Sequence, residues 1–199
     1  DLSLERVRTV LRRLQPKPPG QTIITVGGTN GKGSCVAFLD AMLRTAGYRV
    51  GAYTSPHLLR YNERIRINGI EAADAALCQV FDRIDAVRGE VSLTYFEFGT
   101  LAALELFREA GVEVAVLEVG LGGRLDAVNI MDADAALVVS VALDHTDWLG
   151  SDRDSIGYEK AGIYRPDRPA VCADPDPPPC LIQYAEDISA RLLRVNRDY

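Results

Sequence analysis

Apolar residues recur at positions 4, 7, 10, 11 and 14, within LERVRTVLRRL, and this spacing predicts an amphipathic helix. PKPPG (16–20) ends it. The period then changes. QTIITV (21–26) is a short β-branched apolar run, which predicts a buried strand. SCVAFLDAMLRTAG places apolar residues at 35, 36, 38, 39, 42 and 43 and closes on Gly47, predicting a second helix. YRVGAYT (48–54) reads as the next strand. Strand, helix and strand in this order make a βαβ unit, whose right-handed crossover implies a parallel sheet.

SPHLLRYNERIRING (55–69) is polar and basic, reads as a long loop and ends in an Asn-Gly turn. Helical spacing returns at about 71–88 and 94–110. VEVAVLEVG (112–120) is an apolar strand interrupted by Glu118, and ADAALVVSVAL (133–143) is another, ending at DHTDWLG. SDRDSIGYEKAGIY opens on good N-capping residues and predicts a helix. PAVCA reads as a strand and DPDPPP as a linker. CLIQYAEDISARLL (180–193) reads as a last helix with room for a short strand after it. The alternation predicts an α/β fold: a mostly parallel sheet flanked by helices on both faces.

Composition narrows the function classes. The 199 residues suffice for one domain with a real core, or one domain and part of another. A net charge of −6 argues against a general nucleic-acid binder, and no apolar run reaches the ~18 residues of a membrane span. No signal peptide is visible, and a chain that opens on Asp1 rather than methionine suggests that the natural N-terminus is missing. Cys35, Cys78, Cys172 and Cys180 form no C-x-x-C pair, which fits reduced, buried thiols in a cytoplasmic protein.

The chemistry gathers at the carboxyl ends of the predicted strands, where open α/β sheets bind ligands. After the first strand comes GGTNGKGS (27–34). It departs from the common phosphate loop, because Gly33 follows Lys32, the hydroxyl comes one place later at Ser34, and Val26 stands where a glycine is usual. Even so, glycines that admit an anion to the backbone, a helix N-terminus and a lysine together suit a nucleotide phosphate. Ser55 follows the second strand, Glu118 interrupts a third, and Asp144 and His145 follow a fourth. Glu118 is either a structural ion pair or a metal ligand, since a bare buried carboxylate is costly. His145 is either a core or capping histidine or, beside Ser55 and Glu118, a ligand for a hard cation. Lys160 by spacing alone belongs to a solvated helix face.

TVGGTNGKGS, YTSPHLLRYNERIRING, LTYFEFGTLAALELF, LEVGLGGRLDAVN, LDHTDWLG and EKAGIYR, in this order, resemble the dihydrofolate synthase/folylpolyglutamate synthase family, part of the Mur ligase superfamily. The resemblance covers nearly the whole chain and implies an ATP-dependent ligase. ATP phosphorylates the carboxylate of dihydropteroate or folate, and L-glutamate then displaces phosphate to form an amide. It implies an ATP loop of Thr29, Asn30, Gly31, Lys32, Gly33 and Ser34. It implies magnesium ligands Ser55, Glu118 and His145, and a carbamylated Lys160 that serves a second magnesium ion. Lys32, Lys160 and His145 are then the catalytic set. Asp1, Leu2, Thr94, Tyr95, Phe96, Glu97, Leu125, Asp126 and Ala127 match the pteroate site, with Phe96 stacking on the ring and Asp126 accepting ring N–H groups. Core packing is the other reading of Phe96. Arg60, Arg64 and Arg66 either steer an anionic folate tail or belong to a solvated loop.

Family members are about twice this length, so residues 1–199 are expected to be part of the N-terminal ATP-binding domain, without the C-terminal domain that helps bind glutamate. The whole enzyme is expected to be a monomer, and the isolated chain to have little ligase activity. Two alternatives are a non-catalytic fragment that binds nucleotide or folate, and a peptidoglycan ligase. The second is disfavoured by SPHLLRYNERIRI and TYFEFGT.

Overall fold

The computed structural model describes residues 3–15 and 20–199. The opening helix α1 (Glu5–Leu14) buries Val7 and Val10, as its spacing requires. β1 (Thr22–Gly27), α2 (Lys32–Thr45) and β2 (Val50–Tyr53) form the expected βαβ unit. β3 (Ile65–Ile67) and β4 (Ile70–Glu71) follow, then α3 (Asp74–Arg88), α4 (Tyr95–Glu109) and β5 (Val114–Glu118). The chain continues through β6 (Ala135–Val138), α5 (Thr146–Leu149), α6 (Arg153–Ala161), β7 (Pro169–Cys172), α7 (Pro179–Asp187) and β8 (Arg191–Arg194).

The eight strands make one sheet in the order β4-β3-β2-β5-β1-β6-β7-β8. All pairings from β2 to β8 are parallel, while β3 and β4 run antiparallel at one edge. This hairpin corrects the reading of 55–69 as a loop. Asn68 and Gly69 take left-handed φ of 50° and 77°, as an Asn-Gly hairpin turn demands, so the turn was legible but its flanking strands were not. The second correction concerns 180–193. Ser189 takes a left-handed φ of 58° and α7 stops at Asp187, and Arg191–Arg194 then pair with β7.

The larger core cluster lies beneath α1, α3 and α4 and continues to α6 and α7. A smaller one joins α2 to β1, β2 and β5 through Val36, Val26, Val50, Ala52 and Val116. Only part of the apolar face read for α2 is buried: Phe38 and Met42 are 69% and 59% exposed. The four cysteines are unpaired, with Cys172 buried and Cys78 exposed rather than buried. Among the described residues no helix is long and apolar enough to cross a membrane.

Candidate active site

β1 is central, with β5 and β6 on either side, and the phosphate-type loop emerges between them. Two close approaches shape it. A Cβ on Gly28 (φ 141°) would lie 3.1 Å from Ser140 N and Val139 N, and one on Gly31 (φ 83°) would lie 3.1 Å from the Val139 side chain. The segment after β6 also binds the loop directly. Thr29 N–H donates to Ser140 O (2.8 Å), Asn30 N–H donates to Ser140 Oγ (3.0 Å), and Ala142 N–H donates to Thr29 Oγ1 (3.0 Å). This segment is itself fixed by Asp174, whose Oδ2 accepts the Val141 N–H at 2.6 Å. Lys32 folds back, its ammonium donating to the carbonyls of Gly28 (2.9 Å) and Thr29 (3.1 Å).

Glu118 ends β5 and is 4% exposed. Its Oε2 accepts the Ser55 N–H at 3.0 Å, and both carboxylate oxygens lie under 4 Å from where a Gly33 Cβ would stand. Burial raises its pKa, against the Ser55 hydrogen bond and the Lys32 charge. Oε1 accepts no hydrogen bond among the described residues. A buried carboxylate with one free oxygen against the phosphate loop, beside two serine hydroxyls in the sequence at 34 and 55, suits a hard divalent ion that also binds phosphate. Among the described residues no three His, Cys, Asp or Glu side chains converge as a ready metal site, so such an ion needs phosphate oxygens to complete its shell. His145, at a left-handed φ of 47°, is exposed, with Nε2 3.7 Å from Asp144.

Lys160 is not on a solvated face. It is 3% exposed, and its ammonium has no hydrogen-bond or ion-pair partner among the described residues. Burial, and then the charge of Lys32, lower its pKa from 10.5 to about 8, against the opposing pull of Asp144. The unfolded chain therefore binds more protons than the native one between about pH 8 and 10.5, and stability contributed at this site rises with pH across that window. In CO₂-free buffer Lys160→Met is expected to be the more stable protein at pH 7 by about 2 kcal/mol, because it removes a buried charge. The gap should close as pH rises through 8 to 10.5. Urea unfolding at pH 7 and 10 measures it, and a gap that does not shrink would show that the ammonium is not strained.

A cavity of about 650 Å³ gathers most of the sequence candidates. Lys32, Ser55 and His145 line it together with Thr94, Tyr95, Phe96, Glu97, Leu125, Asp126 and Ala127. A second cavity, of about 610 Å³, holds Gly31, Gly33, Ser34 and Glu118 and shares Ser55 and Pro56 with the first. Asp1 and Leu2 lie outside the described residues. Four candidates also have local work. Thr94 and Glu97 form a capping box at the start of α4, Glu97 Oε2 accepting the Thr94 N–H at 2.6 Å and Thr94 Oγ1 accepting the Glu97 N–H at 3.2 Å. Asp126 accepts the N–H groups of Gly120, Leu121 and Val128, yet burial outweighs these bonds and lifts its pKa to about 6. Phe96 lies against Gly120, where a Cβ would come within 2.7 Å of the ring, and stands 5.7 Å from the Tyr53 ring.

Sequence reasoning missed Arg6, Arg124 and Glu159, which also line the first cavity. Arg6 pairs with Glu97 at 3.2 Å and Arg124 with Glu159 at 2.7 Å. Their partners lie 91 and 35 residues away, so no local pattern signals them.

No protein-family model matches the chain. The dihydrofolate synthase/folylpolyglutamate synthase of Escherichia coli (strain K12) is 54% identical over 194 residues, which is 98% of this chain and 46% of that protein. The solved structure of E. coli FolC in complex with DHPP and ADP superposes with a TM-score of 0.95 at 54% identity, covering 98% of this chain and 47% of that one. A bifunctional folylpolyglutamate synthase/dihydrofolate synthase from Yersinia pestis, complexed with AMPPNP and Mn ion, gives 0.93 at 56% identity, covering 98% and 47%. The chain spans about half the length of the relatives it matches. By sequence and by fold, this chain belongs to the dihydrofolate synthase/folylpolyglutamate synthase family.

Proposed function

We propose that the protein containing this chain is an ATP-dependent ligase that adds L-glutamate to dihydropteroate or folate, and that this chain supplies its ATP-binding part and its pteroate pocket. The observation that carries this reading is the first cavity. Phe96, Glu97 and Asp126 line it together with Lys32 and Ser55 of the phosphate-loop region, so a flat acid held there can place its carboxylate near a nucleotide's terminal phosphate. Relatives that hold DHPP with ADP, or AMPPNP with Mn, support it.

In this reading the acid's carboxylate oxygen forms a bond to the γ-phosphorus as the bond to the β-phosphate oxygen breaks, releasing ADP. The glutamate amine then attacks the acyl carbon, phosphate leaves, and the amine sheds a proton. Lys32 leaves the Gly28 and Thr29 carbonyls for the β- and γ-phosphates, and the N–H groups of the first turn of α2, at Lys32, Gly33 and Ser34, cradle them. Glu118, Ser55 and His145 hold a divalent ion. When bound, that ion supplies positive charge that offsets the phosphoryl oxygens. Lys160, with a pKa of about 8, has enough neutral amine near neutral pH for its nitrogen to add to CO₂ and lose a proton, giving an anionic carbamate for a second ion. Asp126 and Glu97 face the pterin ring.

The test is ADP release by the whole protein with Mg-ATP, L-glutamate and dihydropteroate, each omitted in turn. Release that needs all three, with a product heavier by one glutamyl unit, is expected. Release indifferent to dihydropteroate and to folate would move the acceptor to another acid. In the same assay Glu118→Gln, which keeps the shape and removes the charge, is expected to raise the divalent-ion concentration for half-maximal rate about 20-fold. An unchanged metal requirement would remove Glu118 from the ion's shell.

A further inference from the structure

Of the three arginines in the basic run, only Arg64 turns inward. Arg60 is exposed and meets Asp74 at 3.5 Å, and Arg66 lines the second cavity. Arg64 is 8% exposed and lines the first cavity beside Ser55, Pro56 and Tyr95. It closes a 3₁₀ turn at Tyr61–Arg64 that is held from both ends. Glu63 accepts the N–H groups of Leu58, Leu59 and Arg60 at 2.7–2.8 Å, and the first of these bonds above all keeps its pKa down to about 2. Asn62 Nδ2 donates to Ala72 O and to Asp74 Oδ1, each at 2.7 Å. Arg64 O accepts the Thr54 N–H at 2.9 Å, which ties the turn to the residue before Ser55.

The side chain is as well fixed as the backbone. Nε donates to His57 Nδ1 at 2.8 Å, and the guanidinium carbon stands 5.6 Å and 5.4 Å from the ring centroids of Tyr61 and Tyr95. Its two terminal nitrogens have no hydrogen-bond partner, and no carboxylate pairs with it, among the described residues. A guanidinium cannot shed its proton to escape burial, and aromatic faces offset only part of its lost hydration. The geometry therefore leaves a planar two-pronged donor aimed at an anion that the chain does not supply.

We propose that Arg64 binds the carboxylate of the acceptor acid, the group that becomes phosphorylated, and so makes the pocket specific for acids over neutral pteridines. This rests on the ligase reading above. The nucleotide's phosphates have their own donors in the loop and in Lys32. Arg64 instead lines the same cavity as Tyr95, Phe96 and Ser55, its guanidinium 5.4 Å from the Tyr95 ring and its backbone bonded to Thr54, the residue before Ser55. An acid lying on Phe96 in this cavity has the fork in the same lining. His57 and Tyr61 are positioning residues, since they hold the fork and do not line the cavity, whereas Tyr95 both holds it and lines the cavity.

The experiment compares dihydropteroate with its decarboxylated analogue, in which the aniline ring carries hydrogen in place of the carboxyl group. Both are titrated calorimetrically into the whole protein without nucleotide. Wild type is expected to prefer the acid by about 30-fold or more. Arg64→Met is expected to lose at least ten-fold of that preference while binding the analogue, and Mg-ADP, within three-fold of wild type. A purely structural role would weaken both compounds alike and keep the preference, and that result would overturn the proposal. Arg64→Lys keeps the charge and the stem, and carries the same comparison should the methionine variant not fold. It is expected to fall between the two, and an undiminished preference would again sink the idea. Wild-type protein that binds Mg-ADP but neither pteridine would instead refute the folate reading itself, and this proposal with it.

Discussion

Lys32→Met lowers the rate of acid-dependent ADP release by about a thousand-fold, the loss expected when a full charge is withdrawn from a transferring phosphoryl group in a confined site. The loop itself should survive. Thr29, Asn30 and Gly31 are held by Ser140 and Ala142 and by close packing on Val139, none of which involves the lysine side chain. The acid's KM should therefore stay within about three-fold while kcat collapses. A second readout comes from the electrostatics. The Lys32 charge helps to depress the pKa of Lys160, so the variant's Lys160 should titrate above the wild-type value of about 8. Uptake of ¹³C-labelled CO₂ at that lysine, followed by NMR near pH 8, should then be weaker than in wild type. A rate within ten-fold of wild type would remove Lys32 from the phosphates, and an unchanged Lys160 titration would show that the two ammonium groups do not sense one another.

Gly162→Ala should destabilise the fold by about 3 kcal/mol, roughly 10 °C in melting temperature for a chain of this size. Gly162 succeeds α6 with an ordinary helical φ of −61°, so alanine costs nothing in backbone conformation and would by propensity be a small gain. The objection is steric. The new Cβ would lie 2.7 Å from the Arg124 Cα, and closer still to its Cβ, where no side chain can rotate away. Gly123 meets the same helix from the other side, a Cβ there falling 2.7 Å from Glu159 O. The 120–127 loop is thus pressed onto the α6 backbone and bonded to it through Arg124 N–H and Glu159 O at 2.8 Å. Pushing it off moves Leu125, Asp126 and Ala127 together, so dihydropteroate affinity should fall while Mg-ADP affinity holds. Gly20→Ala, at a position with open space within 4 Å, is the control and should melt like wild type. Equal melting of Gly162→Ala and wild type would mean that the loop has slack.

Local order in the chain made the phosphate loop legible. β1, the glycines and α2 are consecutive, and their periodicities change at the loop itself. Ser55, Glu118 and His145 were placed by the rule that parallel strands end on one side, which needs only the order of elements. The features that escaped depend on partners far along the sequence. The basic segment hides β3, because an Ile-Arg-Ile run becomes a strand only when Tyr53, Ala52 and Gly51 pair with it. The apolar spacing from Leu181 continues through Leu192 and Leu193, so periodicity alone could not see that Ser189 breaks the helix and that β7 captures Arg191–Arg194. Lys160 looked solvated because its helix is polar by composition, and its burial comes from packing against other elements. The resemblance to a family named the roles of Lys160 and of the pteroate pocket, which the residues alone left open.

The neighbours of β1 bear on how the protein is made. Thr22 pairs with Val114 and Ile24 with Ala135, and the segment that braces Thr29 depends in turn on Asp174. On the ribosome, β1 and its loop are therefore synthesised long before the two strands that pair with β1 and the segment that braces the loop. Their β-branched apolar run must wait unpaired until most of the sheet exists, an interval in which such a strand is prone to aggregate. The ability to grip nucleotide should consequently appear late and abruptly during synthesis, after the residues around 174 have emerged, rather than when the loop's own sequence is complete.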